Sequence, residues 1–514
     1  MSSTPTESAE KPYEQVVVAI DEKQTAIEGY HVGVDNYDDS SNLKKSADGR
    51  YVLIPQPSNS PDDPLNWSPA KKAVTLAIIG FIAFLPDYAA GTSIITLIPQ
   101  AIQWKATQYE VQKAVVGNIF SLGICGLAVV ALSNYFGRLP IIFLFQSLSL
   151  MTSAWSGAAT SLNSYIAARI LNGLVSSAAQ GGGLMWIKDL FFFHEHPRKI
   201  NYLEFPIILS PYLGPLITAF ITYKTTWPWG FWVCTILFGI GWLLIFAFLD
   251  EPYYDRSIPA DQQLPRRSRW MRLIGAEQLK AARSEKRPLS VMVQPILAIT
   301  KIPVLLIVIY YFLNFAWVIS VNTTISIWLV NFYHFNPKNL GFFYFFGVIG
   351  VTLGWFVGHF LHDAFGTLYA RRHNNTILPE ARLTISYLAT LISMISLIIL
   401  GLAVQNHWHY MVLAVFAAAQ CCGIMICTTA VNAYLLDCYP GQSGEVSAWV
   451  AVGRIWGGFM ATYIQLPWVG RIGPAKVLGA QAGITAAAAL IIVFLQVYGR
   501  RIRMWQEGKS VVQK

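Results

Sequence analysis

Apolar runs of about twenty residues, the length that crosses a bilayer's hydrocarbon as a helix, alternate with short polar breaks from residue 73 to residue 497. The pattern predicts twelve spans, at 73–97, 113–133, 140–160, 165–187, 201–223 and 230–249, then 303–330, 340–360, 383–403, 410–436, 447–466 and 477–497. Between the two sets of six lies a polar connector, residues 250–302, with 10 Lys/Arg and 6 Asp/Glu. Residues 1–70 are polar and acidic, have no apolar core of signal-peptide type and read as a disordered cytosolic tail. The expected domains are this tail, a helical bundle at 71–249, the connector, a second bundle at 303–497 and a cytosolic segment at 498–514.

Composition supports a membrane protein. Charged residues make up 13% of the 514 residues, about half the usual share of a soluble chain. The net charge of +9 divides into −7 over residues 1–70 and +16 over the remainder. The basic excess sits in loops beside the apolar runs, where lipid headgroups and orientation account for it better than nucleic acid does. With both termini in the cytoplasm, the short inner loops and the C-terminal segment carry 14 Lys/Arg before the connector is added, and the outer loops carry 6. The bias predicts cytoplasmic termini. The six cysteines lie in or beside apolar segments without metal-ligand spacing, and no cofactor is expected.

Local motifs add a resemblance. After the second span the chain reads Asn134-Tyr-Phe-Gly137-Arg138-Leu139, similar to the loop signature G-x-x-x-D-x-x-G-R-[RK] of the major facilitator superfamily. Gly137 and Arg138 match; Asn134 replaces the aspartate and Leu139 the second basic residue, which predicts a weaker inner latch. Span 4 carries Arg169-Ile-Leu-Asn172-Gly173, similar to the family's R-x-x-x-G element. Span 5 carries Ser210-Pro-Tyr-Leu-Gly214-Pro215, close to the antiporter motif G-x-x-x-G-P, with Ser210 in place of the first glycine. The segments around Asp363, Glu380 with Arg382, and Asp437 resemble a twelve-span fungal branch, the drug:proton antiporter-1 family with its histidinol and polyamine permeases. The resemblance covers residues ~60–500 and implies an all-α fold of two pseudo-symmetric six-helix bundles, usually monomeric, that rock about a central site.

Ionisable groups inside spans are functional candidates, because a charge at a helix centre costs roughly 2.5–3.5 kcal/mol even on the milder insertion scale. Asp87 lies near the middle of span 1 and Arg169 in the outer part of span 4. The two are expected to pair or to share a water-filled cavity. Asp87 is then a proton-coupling carboxylate or a counter-ion for a cationic substrate; the alternative is a structural pair that sets helix register. Arg454 in span 11 either binds an anionic substrate or holds Asp437 or Glu445 at the inner gate. Glu204, at the start of span 5, is expected to face the headgroups. Asn314, Trp317, Asn322 and Thr323 on span 7, with Gln420, Asn432 and Tyr434 on span 10, line a pathway or pack in the core. Gly181-Gly182-Gly183 is a hinge or a packing element, and Gly350, Gly354 and Gly358 form a small-xxx-small stripe for close helix approach.

No serine-hydrolase elbow or zinc-protease motif is present, which disfavours a membrane enzyme. Gly508-Lys509-Ser510 imitates the end of a phosphate loop, but Arg503 stands where its first glycine belongs. The expectation is a proton-coupled plasma-membrane exporter of a drug-like compound or secondary metabolite, with small-molecule substrate, protons and lipid as its partners. Uptake of a cationic nutrient such as a polyamine is the alternative, and a non-transporting nutrient sensor the third. The sequons at Asn66 and Asn374 fall on the inner side and that at Asn322 inside a span. The expressed protein is therefore expected to show no mobility shift on endoglycosidase treatment; a shift would overturn the topology.

Overall fold

Hydrocarbon offers no partner to a free peptide group, so each apolar run must satisfy its backbone internally, as a helix. The computed structural model describes residues 30–31, 44, 53–254, 268–284, 292–372 and 376–506, and its long segments are helical. Most of the acidic tail, part of the connector, the Asn374 sequon and residues 507–514 lie outside the described residues. A two-residue antiparallel pairing joins β1, Tyr30–His31, to β2, Thr376–Ile377.

Spans 1 to 3 are the helices Pro69–Gln103, Gln108–Phe136 and Arg138–Ala158. Span 4 is two helices, Leu162–Ser176 and Ala178–Leu190, broken at Ser177. Spans 5 to 7 are His196–Lys224, Pro228–Phe248 and Ile302–Tyr333. Span 8 comprises Pro337–Phe343 and Phe345–Arg372. Spans 9 to 12 are Ser386–Gln405, Tyr410–Cys438, Ser443–Ile472 and Pro474–Gln506.

Among the described residues, ten helices are long and apolar enough to cross a membrane. The other two positions of the expected twelve are span 4, whose pieces are too short singly, and span 11, diluted by Arg454 and several glycines. Several helices also outrun their apolar cores because polar caps extend them. Ser68 accepts from the Lys71 amide at the start of span 1, and Thr107 forms a capping box with Glu110 at the start of span 2. The Lys71 ammonium stands 3.7 Å over the Trp67 ring, as expected of an interfacial anchor.

Both described ends of the main body lie at one end of the bundle, here termed the connector end. The Phe193 amide donates to the Ile54 carbonyl (3.0 Å), Lys71 pairs with Asp250 (3.1 Å), and the Ile302 amide donates to Gln506 (3.2 Å). Each half has its own apolar core, and the cores interlock. Ile208 and Tyr212 of span 5 join the second half's core, while Ala433 and Leu436 of span 10 join the first half's.

Small residues set how closely the helices approach. A methyl group on Gly214 would stand 2.4 Å from the Tyr88 carbonyl oxygen, so spans 1 and 5 cross there backbone to backbone. Gly181 sits against Gly126 of span 2 with 2.3 Å available, and the actual break in span 4 is at Ser177, so the glycine triplet packs. A methyl group on Gly350 or Gly354 would stand 2.2 or 2.7 Å from a carbonyl oxygen of span 10, while one on Gly358 would make an ordinary 3.7 Å contact. Gly350→Leu should therefore overpack the 8–10 crossing by at least about 1–3 kcal/mol. Thermal unfolding in detergent should show a lowered midpoint, and Gly479→Leu, which has open space around it, should leave the midpoint unchanged.

Candidate functional site

Pro86 lies inside span 1 immediately before Asp87, and the carboxylate faces the other half near the centre of the bundle. Arg454 projects from the middle of span 11 and donates from Nη1 to Asp87 Oδ2 at 2.7 Å. Its Nη2 donates to Gln180 Oε1 at 2.6 Å. Gln180, in the first turn after the break in span 4, donates in turn to Asp87 Oδ2 (3.0 Å) and to the Ala83 carbonyl (2.8 Å). Asp87, Arg454 and Gln180 thus form a closed ring that bridges the halves. The Arg454 guanidinium lies 5.5 Å from the Phe315 ring centre. The side chains of Arg454 and Asp87 are 5% and 14% exposed, so the pair sits mostly away from water and its attraction is little screened.

Arg454 separates two cavities. On the far side, a cavity is lined mainly by apolar groups such as Ile94, Ile119 and Phe315, with Asp87, Asn322 and Arg454 supplying polarity. On the connector side, a small polar chamber is lined by Gln180, Glu204, Tyr311, Asn432, Ser447 and Arg454. Asn432 donates to Glu204 at 2.9 Å, Thr429 donates to Asn201 at 3.0 Å, and Asn201 donates to the Trp355 carbonyl at 3.1 Å. Asn134 donates to Glu445 at 2.8 Å. All four bonds cross between the halves on the connector side of Arg454. Towards the far end, Asn322 donates to the Pro211 carbonyl at 3.2 Å, and beyond it Phe220 packs edge-on against Phe342.

The structure corrects several expectations. Arg169 does not pair with Asp87. It is buried and bonds the Ala89 carbonyl (3.1 Å), Asn118 (3.0 Å) and Asn172 (3.3 Å), with Phe231 against its face. Ala89 is two residues past Asp87, about 200° around the helix, so the two groups address opposite sides of span 1. Arg454 reaches neither Asp437, which Arg382 holds at 3.1 Å, nor Glu445, which accepts from Asn134. Nine residues separate Glu445 from Arg454, about 13 Å of rise. Glu204 is not at the headgroups: span 5 starts at His196, so Glu204 lies two turns in and is 8% exposed.

The remaining candidates divide. Asn322 and Thr323 line the far-side cavity, and Asn432 lines the chamber. Asn314 turns its amide back to the Tyr310 carbonyl, and Trp317 packs beside Trp468, 6.4 Å between rings. The Tyr434 hydroxyl flanks Gly499 together with Glu380, away from both cavities. Glu380 pairs with Arg503 at 2.8 Å and Arg382 with Asp437, which ties spans 9, 10 and 12 together at the connector end. Asp363 is on span 8, its side chain outside the described residues. Gly137 takes φ +94° in the turn between spans 2 and 3, where glycine is favoured. Arg138 pairs with Asp189 at 3.1 Å, and its amide and that of Leu139 donate to Glu251. Burial raises the Glu251 carboxyl above its ordinary range, although Arg138 pulls the other way. Gly214 and Pro215 serve the span 1–5 crossing.

Sequence reasoning missed Gln180 and the burial of Glu204. Gln180 carries no charge to mark it; the only signal is the adjacent Ser176-Ser177 break. For Glu204 the available signal was His196-Pro197, a helix start upstream of the apolar run.

Removing one member of a buried ion pair typically costs 3–5 kcal/mol, because the other is left uncompensated. Arg454→Ala should therefore lower stability by roughly that order, and adding Asp87→Asn should restore part of the loss. A double-mutant cycle of detergent unfolding midpoints reads this coupling, and strictly additive losses would deny it.

Residues 76–462 match the Major Facilitator Superfamily profile. An uncharacterized MFS-type transporter of Schizosaccharomyces pombe is 24% identical over 90% of this chain and 89% of its own length. The efflux pump radE of Floropilus chiversii is 25% identical, covering 87% and 84%. Among solved structures, the proton:xylose symporter XylE superposes with a TM-score of 0.57 at 14% identity, covering 83% of this chain and 96% of its own, a likeness of fold. With the two-bundle helical fold and a matched region that takes in both halves, the chain belongs to the major facilitator superfamily, a family of transporters rather than enzymes.

Proposed function

We propose that this transporter moves a small organic molecule outward in exchange for protons. The observation that carries the reading is the Asp87–Arg454 bond, an ion pair joining the halves at mid-depth on the floor of a largely apolar cavity. A proton on Asp87 removes the anion that holds Arg454, so protonation and separation of the halves become linked. The cavity's aromatic and aliphatic walls suit an organic molecule better than a bare ion. The efflux pump radE supports the outward direction, and XylE, on the same fold, is a proton:xylose symporter.

The excess of Lys/Arg in the loops of the connector end supports a cytoplasmic placement of that end. The four cross-half bonds on its side then describe a carrier closed to the cytoplasm. In this reading Asn322 and Asn432 contact substrate on either side of Arg454, and Arg169 positions span 1 through the Ala89 carbonyl. Asn134, Arg138, Arg382 and Asp437 form the cytoplasmic gate, with Gly214 and Pro215 as the pivot between spans 1 and 5. Membership of the branch resembling polyamine permeases, residence in the plasma membrane and a monomeric state belong to the same proposal. Uptake of an organic cation is the second reading, favoured by the carboxylate and the Phe315 ring at the cavity floor.

Flux in proteoliposomes, with pH gradients of both signs and a panel of cationic and neutral compounds, separates these readings by direction. Asp87→Asn should abolish the pH dependence of transport while leaving expression intact. Unchanged coupling in that variant would overturn the proton-coupled reading.

A further inference from the structure

One guanidinium serves two buried carboxylates. Arg454 lines both the far-side cavity with Asp87 and the connector-side chamber with Glu204. Both carboxylates belong to the first half, on spans 1 and 5, while Arg454 comes from the second half on span 11. The groups facing this space are Gln180 from span 4, Tyr311 from span 7, Asn432 from span 10 and Ser447 from span 11. Of these only Tyr311 is titratable, and its hydroxyl is engaged with Thr428 at 2.7 Å. Arg169 is committed to Asn118, Asn172 and the Ala89 carbonyl. Arg454 is therefore the sole cation lining the chamber among the described residues. In a medium of low polarity one cation neutralises one carboxylate, and a second ionised one would remain uncompensated.

We propose that Arg454 shuttles between Asp87 and Glu204 and that the carboxyl group it leaves carries the proton. This rests on the proton-coupled reading above and adds Glu204 as a second proton site. In the arrangement described, Arg454 is on Asp87, and Glu204 is the neutral acid, accepting a hydrogen bond from Asn432 at 2.9 Å. A proton arriving through the far-side cavity adds to the Asp87 carboxylate and gives the acid. The guanidinium leaves and donates to Glu204, whose O–H bond breaks, and that proton passes to water on the connector side. One proton is taken up and one released, so the site's charge is the same before and after.

The move has a mechanical consequence. The Asn432–Glu204 bond is one of the four that close the connector end, and the guanidinium arrives beside it. Proton entry on one side of Arg454 thereby reaches the latch on the other. Glu204 acts on transport as a positioning group and second proton site, without a required contact to substrate.

The test uses the full chain with spin labels at Ser68→Cys and Arg501→Cys, both exposed at the connector end. Cys422→Ser removes the one native cysteine that is not fully buried. In wild type, acidification should change the label distance. Asp87→Asn should give the acid-state distance at every pH. Glu204→Gln should shift the midpoint of that change to lower pH by about one unit or more, a tenfold change in proton concentration, and Glu204→Asp should restore part of the response. A Glu204→Gln midpoint equal to that of wild type overturns the shuttle while leaving proton coupling at Asp87 intact. A wild-type distance indifferent to pH overturns the proton-coupled reading and the shuttle with it.

Discussion

The structure turns on a single ion pair in a poor solvent for ions. Asp87 and Arg454 come from opposite halves and meet near mid-depth, where the Gln180 amide closes their hydrogen-bond ring. Such a pair is modest as a source of net stability, because desolvating both charges offsets much of their attraction. Its effect on geometry is larger. Once both charges are buried, separating the halves exposes two uncompensated ions unless a proton, a substrate or another side chain takes one partner's place. A barrier of this kind is what a carrier needs, since it yields to chemistry rather than to thermal rocking alone.

The surrounding packing keeps that choice discrete. Spans 1 and 5 cross with the Gly214 backbone against the Tyr88 carbonyl, only a few residues from Asp87, so displacement of either helix is felt at the carboxylate. Span 4 contributes through its break, which places Gln180 in the first turn of a new helix and so orients its amide towards both Asp87 and Arg454. Polar bonds between the halves cluster at the connector end, while apolar contacts such as Phe220 with Phe342 dominate towards the other. The two ends therefore differ in the kind of force that holds them, and only the polar one responds directly to protonation.

The replacement of the loop signature's aspartate by Asn134 illustrates how a motif's departure is absorbed. An amide supplies no anion, and here it donates to Glu445 of the other half. Arg138 finds its anion in Asp189 and lies over the Tyr253 ring. The latch persists with its charges redistributed: the carboxylate at the crossing now belongs to the second half.

Membrane character, the all-α fold and the superfamily were legible along the chain, because each depends on local quantities: apolar run length, loop charge and short motifs. Asp87, Arg169 and Arg454 were legible as candidates for the same reason, since a charge in an apolar run stands out wherever the helix points. Their partners were not. Two residues of helical rotation set Asp87 and Ala89 on opposite sides of span 1, and this decides that Arg169 meets a carbonyl while Arg454, 367 residues away in the chain, meets the carboxylate. Glu204 and Gln180 joined the site only through the tertiary arrangement, because the true start of span 5 and the break in span 4 depend on neighbouring helices. Hydropathy determines that the chain crosses the membrane; helix rotation and crossing, which arise from packing between distant segments, decide which charges face one another.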